Sequence, residues 1–216
     1  MRPSSLNHRS LRLAFFAVTL ARALLGSCAG AADAGWVANV EVQRRLADGE
    51  VVVQVATASD ADGPRGSVRA AVLIRARPEA IWSVMIDCRE ALRFVPGLRL
   101  CRRLDAAPDG RWAVIEQEIS YSWFLPAVHN VLRADCDRPR RIDFHRIRGD
   151  LRQEEGTWVL APTADGSATV VEYEMYLDPG FWVPQWLINR SLRISLPAAL
   201  AGLRERVERP SEGRPH

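Results

Sequence analysis

The chain has 216 residues, a length typical of one domain. All 29 basic residues are arginine, against 26 acidic residues. The lack of lysine excludes Schiff-base chemistry and a P-loop nucleotide site, because both need a lysine amine. Four arginines precede the first acidic residue, Asp33, which leaves 25 arginines against the 26 acids. A body so close to neutral predicts no nucleic-acid partner.

The first 31 residues are typical of an export signal. A basic stretch ending at Arg12 precedes the apolar run LAFFAVTLA, which is too short to span a bilayer. Cleavage after Ala31 fits a small-x-small pattern, whereas LGSC, ending at Cys28, is similar to a bacterial lipoprotein box and would leave Cys28 lipidated. An uncleaved anchor, or no signal at all, is the remaining alternative. The first two outcomes predict an exported protein, in a bacterial periplasm, and lipidation would anchor it to the membrane.

Three further cysteines lie in the body of the chain. Cys88 and Cys101 flank a short loop, and a disulfide between them would contribute about 3 kcal/mol in the chain-entropy model. A pair of buried thiols is the alternative. Cys136 has no obvious partner, and no His/Cys cluster has the spacing of zinc ligands. The sequence therefore predicts no metal and no cofactor.

Residues 36–59 predict an added N-terminal hairpin. The segments WVANVEVQRRL and VVVQVATAS flank the turn ADGE, in which Asp48 and Gly49 suit positive φ angles. The composition of residues 58–66 is typical of a loop, and residues 67–76 predict a strand.

Two short helices are predicted next. Pro78 suits the first turn of a helix, where a missing N–H costs nothing, and Ile81, Trp82 and Met85 recur at helical spacing. The second helix covers residues 89–95 and ends at a Pro-Gly pair.

Six extended segments follow, separated by short turns. They cover residues 98–104, 111–123, 128–137, 140–147, 151–162 and 168–177. Connections this short predict an antiparallel meander. In the last segment Tyr173 and Met175 share one face while Glu172 and Glu174 share the other, so one side of the sheet is covered and the other is solvated.

The closing segment predicts a helix that covers the sheet. Its apolar stripe has helical spacing and consists of Ile188, Leu192, Leu196, Leu200, Leu203 and Val207. Pro197 must kink or divide this helix, because it lacks a donor and crowds the carbonyl of Arg193. Residues 209–216 predict a disordered tail.

This order of elements resembles the α+β helix-grip fold of the START and Bet v 1-like (SRPBCC) superfamily. The stretch IRARPEAIWSVMIDCREALRFVPGLRLCRRL looks like the opening unit of the polyketide cyclase-like and coenzyme Q-binding START-like proteins. GTWVL followed by TVVEYEMYLDPGFWVPQWLINRSL resembles the closing unit of exported bacterial members. The resemblance implies one domain over residues 32–208, with a helix-grip core at 67–207 to which the hairpin is added.

The resemblance also implies a curved antiparallel sheet wrapped around the long terminal helix, with an apolar cavity between them that takes a hydrophobic small molecule. Phe181, Trp182 and Trp186 would lie at one end of that cavity. They either form its rim and contact the ligand or plug that end as ordinary core.

Other candidate ligand contacts are mostly aromatic. They are Trp82, Met85, Phe94, Trp123, Phe144, Trp158 and Tyr173, and core packing is the alternative for each. Gln117 would anchor a ligand oxygen if it faces inward with Ile115 and Ile119; otherwise it is solvated at a bulge or an edge.

Three function classes remain. The first is a noncatalytic carrier or sensor of a lipid, quinone or isoprenoid in the cell envelope, with peripheral membrane contact. The second is a protein-interaction module with a filled cavity. The third is a cyclase or hydrolase, which needs an acid and a base that converge on the cavity. The candidates for such a pair are His129, His145 and Glu116. The two histidines lie on separate predicted strands, and neither has a recognisable catalytic context. The sequence therefore favours the carrier.

Overall fold

The computed structural model describes residues 35–60, 63–120 and 126–209. The predicted export signal with Cys28, and residues 210–216 of the predicted tail, lie outside the described residues. Within them, an antiparallel sheet of eight strands has the order β1-β2-β8-β7-β6-β5-β4-β3. The strands are β1 (Val52–Asp60), β2 (Gly63–Ile74), β3 (Leu98–Ala106), β4 (Trp112–Ile119), β5 (Val128–Asp137), β6 (Arg141–Gly149), β7 (Gln153–Pro162) and β8 (Thr169–Asp178).

The helices of the described residues lie before, within and after this series of strands. They are α1 (Val40–Ala47), α2 (Pro78–Met85), α3 (Cys88–Phe94), α4 (Gln185–Arg190), a π-helical turn (Ser191–Ser195) and α5 (Leu196–Glu208). The architecture is α+β and helix-grip-like, as the sequence predicts, with the sheet packed against the C-terminal helix.

The N-terminal hairpin exists, but one of its predicted strands is wrong. The hairpin pairs β1 with β2, from Val52↔Ala71 to Asp60↔Gly63, and so includes much of the predicted loop at residues 58–66. The predicted strand at residues 36–46 is instead largely the helix α1. The buried Val42 and Leu46 are four residues apart, which is helical spacing, whereas Val40 is 84% exposed.

The two short helices lie as predicted, with α2 beginning at Pro78. Asp87 caps α3, because its Oδ1 accepts a hydrogen bond from the Arg89 N–H at 2.8 Å. A disulfide joins Cys88 at the start of α3 to Cys101 in β3, with their Cα atoms 5.2 Å apart. Of the two alternatives for this pair, the structure has the disulfide.

Strands β3 to β8 form the predicted meander, and β2 pairs with β8 to complete the sheet. In β8, Tyr173 and Leu177 are buried on the inner face, while Glu174 on the outer face bonds to Arg69 with an Nε–Oε1 distance of 3.0 Å. The register shifts by one residue in β3 and at Ile147 in β6, as in β-bulges, which bend strands.

The C-terminal helix accommodates Pro197 with the π-helical turn, which lies directly before α5. Proline lacks an N–H and its ring crowds the preceding turn, so a wider turn upstream removes the conflict. Leu192, Leu200 and Leu203 are buried against the sheet. At its far end the helix is held by Arg206, whose Nη2 lies 2.6 Å from Glu90 Oε2.

Candidate functional site

A cavity of about 330 Å³ lies between the inner face of the sheet and the C-terminal helix. Met85 and Phe94 line it from α2 and α3, Leu132 and Tyr173 from the sheet, and Leu196 from α5. Its volume falls within the range of ligand pockets, roughly 300–1,000 Å³. The space between sheet and helix is therefore only partly filled by the protein's own side chains.

Strand alternation decides which residues of β4 reach the cavity. Ile115, Gln117 and Ile119 line it at every second position, so Glu116 and Glu118 point to the outer face. Gln117 thus faces the cavity, as predicted by the alternative in which it could anchor a ligand oxygen, and is not solvated at a bulge or an edge.

The aromatic residues of the sheet form one wall of the cavity. The rings of Phe144 and Tyr173 are stacked with centroids 6.0 Å apart, and Trp158 lies 4.3 Å from Tyr173. The Phe144 ring fits because Gly156 opposite has no side chain: a Cβ there would lie 2.6 Å from Phe144 Cζ. Gly156 therefore gives Phe144 room to lie against β7.

Glu154 is a charged residue type in this mostly apolar lining, and it is only 7% exposed. Asn130 Nδ2 donates to Glu154 Oε2 at 2.7 Å, while Asn130 Oδ1 accepts from the Leu151 N–H at 3.3 Å. Burial raises the pKa of Glu154 to about 7, against the smaller opposing effects of the Asn130 bond and the Arg146 charge. The cavity thus contains a carboxyl group that changes protonation near neutral pH.

Two further polar groups lie towards other parts of the lining. Burial and the Asp135 charge raise the pKa of the Cys136 thiol, so the thiol form is favoured. Arg103 Nη2 donates to the Ile86 carbonyl oxygen at 3.2 Å. Neither group forms a hydrogen-bonded acid–base pair with Glu154 among the described residues.

The acid and base candidates meet outside the cavity. His129 Nε2 lies 3.0 Å from Glu116 Oε1, and Arg102 Nε donates to Glu116 Oε2 at 2.8 Å. The pKa of Glu116 is lowered by its hydrogen bonds from His129 and Arg102. Because Glu116 faces outward, this cluster cannot act on a molecule in the cavity. His145 is exposed on β6.

The structure brings seven of the eleven predicted contacts to the cavity. They are Met85, Phe94, Gln117, Phe144, Trp158, Tyr173 and Phe181. Trp82 does not line the cavity, because it is buried in the core cluster at 2% exposure. Trp123 lies outside the described residues. Contact of any of these residues with a ligand stays a prediction.

The alternative that Phe181, Trp182 and Trp186 plug the end of the cavity is wrong. Their exposed fractions are 45%, 81% and 57%, which are not those of core residues. By contrast Val183 and Leu187, which directly follow Trp182 and Trp186 in the chain, are buried. Phe181 both lines the cavity and reaches the surface, whereas the two tryptophans lie outside the lining.

Sequence reasoning missed Glu154 as a site residue, although a signal for it exists. In β7 the residues Gly156, Trp158 and Leu160 face inward at every second position, with Leu160 only 2% exposed. The same alternation puts Glu154 on the inner face. Leu187, Leu192, Leu196 and Ala199 of the helix also line the cavity without having been predicted as contacts.

Other kinds of site find no support in the part of the chain that the structure describes. Within residues 35–60, 63–120 and 126–209, no group of three or more His, Cys, Asp or Glu side chains could hold a metal ion. In those same residues, no helix combines the length and apolar character needed to cross a bilayer.

The raised pKa of Glu154 makes stability depend on pH. The pKa of Glu154 rises from 4.5 in the unfolded chain to about 7 in the folded protein. The contribution of Glu154 to the free energy of unfolding is therefore complete below pH 4.5 and is lost as the pH rises through about 7. Glu154→Gln removes this titration and keeps an acceptor for Asn130. We expect the unfolding free energy of the variant, relative to the original protein, to rise by about 3 kcal/mol between about pH 4.5 and 8.

Urea unfolding at a series of pH values measures this difference. Glu155→Gln is the matched control, because it changes the exposed neighbour on the outer face. A difference between Glu154→Gln and the original protein that stays constant over this range would contradict the prediction.

Comparison with known proteins identifies the family. A family model described as polyketide cyclase/dehydrase and lipid transport matches residues 74–204. No curated protein sequence gives a significant match.

Solved structures with the same fold include a STAR-related lipid transfer protein from Xanthomonas axonopodis, at 17% identity and TM-score 0.61, covering 74% of this chain and 99% of that one. The Zhui aromatase/cyclase from Streptomyces sp. R1128 has 15% identity and TM-score 0.58, with coverage of 69% and 99%. A START superfamily protein from Mycobacterium smegmatis has 19% identity and TM-score 0.54, with coverage of 66% and 97%. Identities this low show the shared fold alone. The family model, in contrast, matches more than half of the length of this chain. The chain therefore belongs to the polyketide cyclase/dehydrase and lipid transport family.

Proposed function

We propose that this protein binds and carries a hydrophobic small molecule, such as a lipid, quinone or isoprenoid, in the cell envelope without catalysing a reaction. The cavity between the sheet and the C-terminal helix is the observation that carries this proposal. Its wall is mostly aliphatic and aromatic, and its volume is about 330 Å³. Apolar surface placed in such a cavity is removed from water, which favours binding by roughly 25 cal/mol per Å².

A cyclase or hydrolase that uses the same cavity is the enzymatic alternative. Such an enzyme needs a proton donor and acceptor that converge on the substrate. The Glu154 carboxyl instead bonds to Asn130, an amide that does not exchange protons at this pH, and the Glu116–His129 pair faces away from the cavity. These contacts favour binding over turnover.

The exposed aromatic side chains support peripheral membrane contact. We name Phe181, Trp182 and Trp186 the aromatic segment. Ile194 nearby in sequence is 51% exposed, and Arg190 and Arg193 are exposed as well. Tryptophans beside arginines suit the headgroup region of a bilayer, where an aromatic ring and a cation both find partners. Since Phe181 also lines the cavity, the ligand would pass between membrane and cavity at this end.

A cavity-filling variant tests the carrier proposal. Ala199 lines the cavity from α5, so Ala199→Phe places a ring in the space the ligand needs. We expect its affinity for the uncharged fluorophore N-phenylnaphthylamine to fall by about tenfold or more, the equivalent of 1.4 kcal/mol. Fluorescence titration measures the affinity, and native mass spectrometry reports any lipid that co-purifies.

Ala198→Phe is the matched control, because Ala198 is the exposed neighbour on the same helix. It should bind the fluorophore as the original protein does. A folded Ala199→Phe variant with unchanged affinity would overturn the assignment of the cavity as the binding site.

Removing the tryptophans of the aromatic segment tests the membrane contact. We expect Trp182→Ala and Trp186→Ala each to weaken binding to vesicles of phosphatidylglycerol and phosphatidylcholine by about tenfold, because each removes apolar surface from the interface. Vesicle co-sedimentation measures this binding, and Trp186→Ala should also weaken ligand retention. Ile147→Ala on β6, where Ile147 is 50% exposed, is the control. Equal vesicle binding by all the variants would argue against membrane contact.

The envelope location rests on the N-terminal sequence alone. The basic stretch and apolar run that precede Ala31 support export, with lipidation at Cys28 as the alternative means of anchoring. We expect the intact mass of the protein isolated from its native cells to correspond to a chain that begins at Ala32 or at a lipidated Cys28. A mass that includes residues 1–31 would contradict export by cleavage.

A further inference from the structure

We propose that Glu154 is the polar anchor of the cavity and selects a lipid-like molecule without an anionic group, whose hydroxyl group lies against its carboxyl. This inference rests on the proposed carrier function and names the chemical class of its ligand. It assigns to Glu154 a role in ligand specificity rather than only in stability.

The geometry leaves one carboxyl oxygen of Glu154 for a ligand. Asn130 is fixed by the Leu151 N–H at its Oδ1, so its amide nitrogen points to Glu154 Oε2. Among the described residues, the carboxyl makes no other hydrogen bond, although Glu154 is buried and lines the cavity. Buried polar atoms nearly always have a partner. Oε1 is not among the fully buried atoms without a partner, so it keeps accessible surface, and because Glu154 lines the cavity a molecule there can reach it.

The carboxyl of Glu154 disfavours an anionic partner. Arg146 lowers its pKa; Arg146 Nη1 donates to Gly149 O at 3.3 Å and Nη2 to Arg152 O at 2.7 Å, while Arg146 Nε is buried and has no hydrogen-bond partner among the described residues. At the same end of the sheet, Arg152 is paired with Asp178 at 3.3 Å. A ligand carboxylate or phosphate that took the place of a hydrogen-bond partner at Glu154 would meet the like charge of the ionised carboxyl at close range.

A hydroxyl group matches both protonation states of this carboxyl. With a pKa of about 7, Glu154 is partly protonated and partly ionised near neutrality. The protonated carboxyl donates a hydrogen bond, which a ligand hydroxyl can accept. The ionised carboxyl accepts a hydrogen bond, which the same hydroxyl can donate. A ketone or ether satisfies only the protonated form.

The rest of the cavity suits an apolar tail. Trp158 lies four residues along β7 from Glu154, which is roughly 13 Å along an extended strand. The aromatic wall and the aliphatic side chains around it continue from there, with Ile142 paired to Trp158 in the neighbouring strand. A ligand with its hydroxyl at Glu154 thus places its tail against the aromatic wall.

Competition between matched chain molecules tests the anchor. In this test, dodecanol and dodecane each compete with N-phenylnaphthylamine for the mature protein, and only dodecanol has a hydroxyl that could bond to Glu154. We expect the original protein to bind dodecanol about tenfold more tightly than dodecane, the effect of one hydrogen bond to a buried polar group. Glu154→Leu should abolish this preference, and Glu154→Gln should keep it because an amide also donates and accepts.

Glu155→Leu is the matched control for the loss of a carboxyl, because Glu155 lies on the exposed face of the same strand. It should keep the preference for dodecanol. A preference that persists in Glu154→Leu, or that is absent in the original protein, would overturn the proposal. If the fluorophore itself does not bind, the carrier function fails; if it binds without a preference for dodecanol, only the anchor fails.

A charged ligand gives a second readout that does not depend on Glu154→Leu folding. Dodecylammonium should bind the original protein several-fold more tightly at about pH 8.5 than at about pH 6, because Glu154 is then ionised. Glu154→Gln should show no such rise. A rise of equal size in the variant would assign the pH dependence to another group and contradict the proposal.

Discussion

The structure depends on the packing of the C-terminal helix against the inner face of the sheet. Leu200 of the helix and Val72 and Val171 of the sheet belong to one core cluster, and all three side chains are fully buried at 0% exposure. Elsewhere between sheet and helix the lining includes small side chains, among them Ala113, Ala134 and Ala199. The core is therefore closed at one part of the interface and open at another, so one contact supplies both stability and a site.

The cavity combines an apolar wall with a few polar groups, and the polar groups make its chemistry specific. A buried carboxyl costs free energy unless its hydrogen bonds are satisfied, and Asn130 satisfies only part of this need for Glu154. Sites that retain such a cost are commonly functional. The aromatic segment adds the second feature of the site, because Phe181 joins the cavity lining to the molecular surface.

Local periodicity was sufficient to predict the meander, the short helices and the inward face of β8, because each element has a regular apolar repeat. It failed at residues 36–46, where Val40 and Val42 mimic strand alternation but Val42 and Leu46 form the buried side of a helix. The exposure of Trp182 and the burial of Trp82 could not be predicted, since a large aromatic suits a core as well as a surface. Glu154 could not be assigned to the cavity from its residue type, because a glutamate is almost always exposed, although the alternation of β7 puts it on the inner face.

The disulfide between Cys88 and Cys101 connects the lining of the cavity to the chemistry of the compartment. The helix α3 that it fastens to β3 supplies Ala91 and Phe94 to the cavity wall. A covalent cross-link of this kind persists only where thiols are oxidised. In a reducing cytosol the same chain would hold this wall by noncovalent packing alone, so the redox environment bears on the rigidity of the cavity wall through a single bond.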